Sequence, residues 1–292
     1  MDDKDLLAQK FEAERAHLRA VAYRMLGSVA EADDAVQEAW LRLARADAAS
    51  VENLGGWLTT VVSRVCLDLL RSRKSRREEA LGVRVPDPIV SADGGDELML
   101  ADSVGLALLV VLETLAPAER LAFVLHNMFG LSFDEIAPIV DRTPVAARQL
   151  ASRARRRVQG AATPDRDRER QRRVVDAFLA ASRGGDFDAL VAVLAPDVVL
   201  RADLGTSGAG GSRELRGASN VAKGSLLYSK SAPPDRRDVR ALVNGAPGLV
   251  VFLGGKPASI LGFTIAGDRI VEIDILADPA RIARLDLTRI GA

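Results

Sequence analysis

The densest set of side chains that could do chemistry lies between positions 148 and 157, where arginine recurs without an acid among its neighbours. Arginine can donate two parallel hydrogen bonds to guanine or phosphate, and glutamine pairs similarly with adenine. This pattern indicates recognition of nucleic acid, although a GC-rich genome would also enrich arginine. The residues expected to contact DNA here are Arg148, Gln149, Ser152, Arg153, Arg155 and Arg156.

Two helix-start signals precede these side chains and position them. Ser132 and Glu135 have the spacing of a capping box, and Thr143 followed by Pro144 is typical of an N-cap and first helical position. Two short helices joined by so tight a turn predict a helix-turn-helix, whose second helix enters the DNA major groove. A solvated charged face is the alternative, and the agreement of caps and turn favours DNA. Pro138, inside the first helix, predicts a kink.

Within the second helix, Arg148, Gln149 and Arg153 lie near the middle and are expected to read base edges. The arginines from 155 to 157 are expected to bind phosphates, which position a protein on DNA without specifying sequence.

Composition limits the remaining classes of protein. The chain has 292 residues, with 40 Lys+Arg and 40 Asp+Glu, so net charge argues neither for nor against nucleic acid. The single cysteine, Cys66, rules out an intrachain disulfide and is expected to be a core residue. No apolar run approaches the roughly 20 residues of a membrane span. The charged N-terminus is unlike a signal peptide, so we expect a soluble cytoplasmic protein. We also expect that it needs no cofactor or metal.

The patterns along the chain divide it into five parts. We expect a helical domain at 1–78, a linker at 79–105, a helix-turn-helix domain at 106–160, a hinge at 161–167 and an α+β domain at 168–292. The linker assignment rests on Pro86, Pro88 and a glycine-aspartate cluster. In the last part, two amphipathic helices precede strand-like runs separated by hairpin turns, which predicts an antiparallel sheet. The strand-like runs are 198–202, 239–243, 249–253, 259–266 and 269–275, and a last helix is expected within 278–285.

The two helical parts resemble an extracytoplasmic-function sigma factor, the bacterial initiation subunit of RNA polymerase. The resemblance lies in the acidic helix 33–40, the helix 57–71 that ends in Leu-Asp-Leu-Leu-Arg, and the segment 115–158. The remainder resembles the SnoaL-like fold, a cone of curved sheet and helices that is fused to one group of these factors. The group's linker motif falls on 84–88, its Asp-Gly-rich motif on 203–207 with only the Asp and one Gly kept, and its terminal motif on 278–282. The segment 243–248 fits the group well.

The resemblance implies that the chain binds core RNA polymerase and promoter DNA, and that it makes or breaks no bond itself. The acidic helix would bind the polymerase through Asp33, Asp34, Gln37, Glu38 and Trp40, and complementing the helix dipole is the alternative role of its acids. The loop 46–56 would hold a flipped base of the minus-ten element, with Asn53 as its polar candidate. The arginines that would hold phosphates of the opened strand are Arg64, Arg71 and Arg73. Trp57 is either a stacking platform or a core anchor, and its apolar neighbours favour the core.

Three roles are open for the last domain: catalysis, ligand sensing and protein contact. Related cones host isomerases and cyclases, yet both histidines, His17 and His126, precede it. Glu272 and Asp274 share one strand face and are expected to be its solvent side. We favour a contact role in which this domain packs on the sigma domains and linker of its own chain. The residues expected to take part are Pro86, Asp87, Pro88, Asp203, Asp278 and Pro279.

The alternative function is a DNA-targeted, small-molecule-sensing regulator or a SnoaL-like isomerase or cyclase. A plain helix-turn-helix repressor would dimerise on a palindrome without polymerase, whereas we expect a monomer when this protein is free.

Overall fold

The structure, a computed structural model, describes residues 3–45, 53–77, 84–92, 105–160, 165, 167–205 and 211–290. The chain forms two compact units. The first comprises Met1–Leu81 and Val111–Gly160, and the second comprises Gly82–Val110 and Ala161–Ala292. Most of the segment that the sequence suggests is a linker is therefore part of the second unit.

The first unit opens with three helices, α1 (Asp3–Leu26), α2 (Val29–Leu43) and α3 (Leu54–Arg77). Gly27, at φ +63°, separates α1 from α2, and the Ser28 hydroxyl accepts from the Glu31 amide at 3.5 Å. The apolar faces of the three helices meet in a core that includes Cys66, as expected from the sequence. Burial raises the pKa of that thiol to about 12, so it is an inert packing residue. Residues 46–52 of the predicted loop lie outside the described residues.

The helix-turn-helix prediction is confirmed in the rest of this unit. Helix α4 (Leu106–Glu113) begins in the second unit and enters the first unit at Val111. Helix α5 (Pro117–Phe123) then leads through a π-helical turn, Val124–Met128, to α6 (Phe133–Val140) and α7 (Pro144–Gln159). The Ser132–Glu135 capping box is formed, and the Thr143 hydroxyl accepts from the Ala146 amide at 3.2 Å. Asp141 turns the chain between the two helices with φ +56°. Helix α6 continues past Pro138 to Val140.

The second unit is an α+β fold around a seven-stranded sheet in the described part of the chain. Its helices are α8 (Arg168–Gly184), α9 (Phe187–Val193), α10 (Ala218–Lys230) and α11 (Pro279–Ile282). Its strands are β1 (Val90–Ala92), β2 (Leu194–Asp203), β3 (Ser212–Arg216), β4 (Arg237–Val243), β5 (Ala246–Leu253), β6 (Lys256–Ala266) and β7 (Arg269–Leu276). The order in the sheet is β1-β4-β5-β6-β7-β2-β3.

The sequence located five of these strands and missed β1, β3 and α10. The expected antiparallel pairing is wrong for β2 and β7, which are parallel. Strand β1, which lies in the linker segment, pairs antiparallel with β4, with Val90 opposite Val243. A segment between the two sigma regions is thus an edge strand of the C-terminal sheet.

The two faces of the sheet carry separate apolar cores. Helices α8, α9 and α10 cover one face, where Leu249, Val251 and Phe263 are buried. On the opposite face, Val250 and Phe252 pack with Val85 of the linker segment and with Leu106 and Val110 from the start of the next helix. Leu106 fits against a glycine: a Cβ atom on Gly262 would lie 2.7 Å from the Leu106 Cδ2 atom. The linker segment and the start of the helix that follows it therefore supply part of this second core.

Candidate nucleic-acid interface and linker contacts

Helix α7 presents one face to its own domain and the other to solvent. The buried face of α7 consists of three alanines, Ala147, Ala151 and Ala154. Their small side chains allow the neighbouring helices of the domain to pack closely against it. The opposite face is exposed over its whole length. Its members are Val145, Arg148, Gln149, Ser152, Arg153, Arg155, Arg156 and Arg157. The sequence did not single out Val145, because an apolar residue carries no hydrogen-bonding signal.

The arginines of α7 differ in how they are held. The Arg148 guanidinium lies over the Phe133 ring, 5.3 Å from its centroid, which braces it at the exposed surface. Arg153 and Arg157 both approach the Glu119 carboxylate, at 3.3 and 3.2 Å. Each of these two side chains is 55% exposed, so the pair leaves them accessible to DNA. Arg155 lies beside Asn127, whose amide oxygen accepts from it at 2.8 Å when the amide is suitably oriented.

The residues suggested for the minus-ten element fall into two groups. Asn53 is the N-cap of α3: its side-chain oxygen accepts from the Gly56 amide at 2.9 Å, while the residue itself is exposed. Arg71 is exposed, 3.7 Å from Asp68. Arg64 donates to the Pro138 carbonyl at 3.2 Å, and Arg73 donates to the Leu26 carbonyl at 3.0 Å and pairs with Glu31.

The structure places the suggested polymerase-binding residues on α2 with different degrees of freedom. Asp34 and Gln37 are exposed. Asp33 pairs with Arg19 at 2.6 Å, and Glu38 pairs with Arg42 at 2.9 Å. Trp40 is half-buried, with its ring centroid 5.0 Å from that of Phe11. The exposed apolar side chain on this surface is Leu41, seven residues after Asp34, which sequence reasoning missed.

The residues suggested for regulation meet around one side chain that the sequence did not single out, Arg281. Its Nε atom donates to the Asp87 carboxylate at 2.6 Å and its Nη1 atom to Asp203 at 2.7 Å. Its remaining nitrogen donates to the Val85 carbonyl. Asp203 also accepts from the Val85 amide, at 3.1 Å. We call Arg281, Asp87, Asp203 and the Val85 backbone the linker latch.

Neighbouring groups hold the latch in place. Asp278 caps α11 by accepting from the Ala280 and Arg281 amides, and Pro279 occupies the first helical position. Pro86 and Pro88 are buried on either side of Asp87. Farther along the linker, the Ile89 amide donates to the Asn244 side chain at 3.1 Å. The only available sequence clue to Arg281 was its place in the terminal motif at 278–282.

A second charged cluster lies on the sheet face opposite the helices. Arg201 donates to Asp274 at 3.2 Å and to Glu272 at 3.3 Å. Asp274 is only 1% exposed, so the expectation that both acids form a solvent side is wrong for it. Burial raises the pKa of Asp274 to about 7, against the opposing attraction of Arg201. Alternation along one strand could not predict this burial, because the side chain that pairs with both acids, Arg201, belongs to another strand.

In the described ranges, no helix is long and apolar enough to cross a membrane. Within the same ranges, no group of three or more His, Cys, Asp or Glu residues could hold a metal ion.

Comparisons with known proteins agree with this arrangement. Models of sigma-70 region 2 and sigma-70 region 4 match residues 11–76 and 105–158. The extracytoplasmic-function (ECF) RNA polymerase sigma factor SigJ of Mycobacterium tuberculosis is 39% identical over 274 residues, 91% of this chain and 86% of SigJ. The probable ECF RNA polymerase sigma factor SigI of the same organism is 35% identical over 287 residues, 97% of each chain.

The likeness extends to three dimensions. The crystal structure of M. tuberculosis SigJ matches with a TM-score of 0.77 at 35% identity, covering 96% of this chain and 99% of that one. The match includes the helical regions and the α+β unit that follows them. The chain therefore belongs to the ECF RNA polymerase sigma factors, in the group that carries a SnoaL-like C-terminal domain.

Proposed function

We propose that this sigma factor reads the minus-thirty-five element with the outer face of α7, opens the minus-ten element with α3 and its preceding loop, and is regulated through the linker latch. The observation that carries the regulatory part is the linker latch itself, in which one arginine of the C-terminal domain binds the linker backbone and a linker carboxylate.

Promoter reading is assigned to side chains by their exposure and partners. Arg148, Gln149 and Ser152 face solvent within the first nine residues of α7, and the N-terminal part of a recognition helix is the part that contacts base edges in the groove. We assign them to base edges. Arg155, Arg156 and Arg157 lie nearer the helix end and are assigned to phosphates. Arg153 forms an ion pair with Glu119, and it would read a base only if DNA displaced that carboxylate.

For the opened strand, we assign phosphate contact first to Arg71, which is exposed on α3. Arg64 and Arg73 would join it after leaving their carbonyl partners within the first unit. Asn53 keeps one amide nitrogen for a base while its oxygen caps the helix. Core polymerase would bind the exposed face of α2 through Asp34 and Gln37, with Asp33, Glu38 and the half-buried Trp40 shaping that face.

We infer a contact role rather than catalysis for the C-terminal domain. Both histidines lie in the first unit. The acids Glu272 and Asp274 bind Arg201 on the sheet face away from the helices, whereas the helix-covered face is filled by apolar side chains. A general acid or base inside an apolar cavity, which the related chemistry needs, has no candidate in that core among the described residues.

The experiment is promoter-dependent run-off transcription with core polymerase and the full-length chain, wild type and Arg281→Ala. Arg284→Ala is the matched control, since Arg284 is an exposed arginine three residues farther on. Transcripts that require both the chain and the promoter support the sigma assignment. We expect Arg281→Ala to raise the yield, because releasing the linker frees the two sigma regions to separate. Equal yields from all three proteins would contradict the proposed role of the linker latch.

A further inference from the structure

Val145 is exposed in a way that the fold does not explain. Val145 is 68% exposed, which is more than any of the other exposed large apolar residues described in the first unit, Leu6, Leu41 and Leu69. It lies at the second position of α7, directly after the Thr143 cap and Pro144. An apolar, β-branched side chain at this place contributes nothing to a core and is a poorer helix former than alanine.

The position of Val145 puts it on the surface assigned to DNA. Gln149 and Ser152 follow it at spacings of four and seven residues, so the three share one helical stripe. Val145 begins that stripe at the N-terminal end of the helix, the end that contacts base edges in a helix-turn-helix. The fixed backbone of Pro144 and the single preferred rotamer of valine hold the side chain in one direction.

The major-groove edges of the bases offer one apolar group, the C5-methyl of thymine. We propose that Val145 reads a thymine methyl in the minus-thirty-five element and so determines specificity at that position. This inference rests on the proposed reading of that element by α7. Burying one methyl-sized group corresponds to about a four-fold change in affinity, which is the effect expected from one contact of this kind.

Deoxyuridine is the probe, since it differs from thymidine only by the absent methyl. Full-length protein with core polymerase is first used to select a minus-thirty-five sequence from a randomised promoter pool. Each thymine of the selected element, on either strand, is then replaced singly by deoxyuridine. Promoter affinity is measured for wild type, Val145→Ala and Leu227→Ala. Leu227, 71% exposed on α10 in the second unit, is the matched apolar control.

We expect the wild type and Leu227→Ala to lose affinity about four-fold at one thymine and Val145→Ala to be indifferent to the methyl there. Val145→Thr, which keeps one methyl group, should retain part of the discrimination. Alanine at an exposed helical position is expected to leave folding intact, and thermal unfolding of each variant checks this.

Two results would overturn the assignment. If no deoxyuridine substitution weakens the wild type, no methyl is read. If Val145→Ala keeps the same loss at the same thymine, another residue reads it. In both cases the selected element still stands as evidence of minus-thirty-five reading, whereas failure to select any element would count against the proposed function itself.

Discussion

Arg281→Ala should lower the free energy that is needed to release the linker segment from the C-terminal sheet. The substitution removes the cation shared by Asp87 and Asp203, whose residues are 8% and 6% exposed. Breaking a buried ion pair by removing one partner costs about 3–5 kcal/mol, because a charge stays buried without its counter-ion. The hydrogen bond to the Val85 carbonyl is lost as well, and the two losses do not add fully because they share one side chain.

Part of this cost is recovered locally. Asp203 keeps hydrogen bonds from the Val85 and Gly205 amides, and β1 keeps its pairing with β4. We therefore expect the free energy of opening the linker to fall by about 3 kcal/mol, the lower end of that range. This corresponds to roughly a hundred-fold faster amide exchange, since about 1.4 kcal/mol is a factor of ten.

Hydrogen–deuterium exchange measures this opening directly at the Val85 and Ile89 amides, which donate to Asp203 and Asn244. Arg284→Ala is the control, and Arg281→Lys should be intermediate because lysine keeps the charge but loses the planar fork. Unchanged exchange at Val85 in a folded Arg281→Ala protein would refute the latch. Equal acceleration in β5 and β6 would show global unfolding instead of linker release.

Three other substitutions have defined outcomes. Ser132→Ala removes the capping box and should lower the stability of the first unit by about 1 kcal/mol in thermal unfolding. In the wild type, the hydrogen bonds from Ser132 lower the pKa of Glu135, so the stabilisation by the capping box should fade as the pH falls through that lowered pKa. The pKa of Asp274 is raised to about 7, so the folded protein holds this proton more tightly than the unfolded chain does. The wild type should therefore lose at most about 4 kcal/mol of stability as the pH rises from about 4 to 7. Urea unfolding at the two ends of this range should show a flatter dependence for Asp274→Asn. Arg148→Ala should weaken promoter binding by about 1–3 kcal/mol and relax one base position; equal weakening on random DNA would make it a phosphate contact.

Local sequence signals predicted the helix-turn-helix well. The capping box of Ser132 with Glu135 and the Thr143-Pro144 start act within four residues, so their geometry is set by the chain itself. The same reasoning missed α10, whose sequence contains Gly224 and little apolar periodicity. The close approach of this helix to β3 explains the glycine, since a Cβ there would lie 2.7 Å from the Leu215 Cδ1 atom.

Contacts between distant residues were outside the reach of pattern reasoning. Arg281 is separated from Asp87 by 194 residues and from Asp203 by 78. No local rule selects one partner among the many arginines and acids of this chain. The motif resemblance pointed to the segments that contain Asp87, Asp203 and Asp278. The structure shows that Arg281 is the residue that contacts all three. The burial of Asp274 was missed for the same reason, since Arg201 lies on a different strand.

The closed packing of the first unit has a consequence for promoter binding. The Arg120 guanidinium, on a residue 2% exposed, donates from α5 to the Arg24 carbonyl at the end of α1. The Phe129 ring meets the Arg24 guanidinium at 5.2 Å. These contacts join region 2 to region 4 in a unit of about 130 residues, for which a radius of gyration of about 14 Å is typical. Promoter elements about 25 base pairs apart lie roughly 85 Å apart on B-DNA. Binding both elements therefore requires the two regions to part.

The fused domain can regulate this separation only by binding the closed and open states differently. With the chain held at Arg84 and at Leu106, the seven residue steps from Arg77 to Arg84 can span at most about 24 Å. Release of the whole segment from Arg77 to Leu106 extends this reach to about 100 Å, enough for both elements. On the proposed role of the linker latch, we therefore expect a held linker to favour the closed state. The apparent promoter affinity is then the intrinsic affinity multiplied by the fraction of molecules that are open. This difference in reach is the physical reason to expect that Arg281→Ala activates the sigma factor.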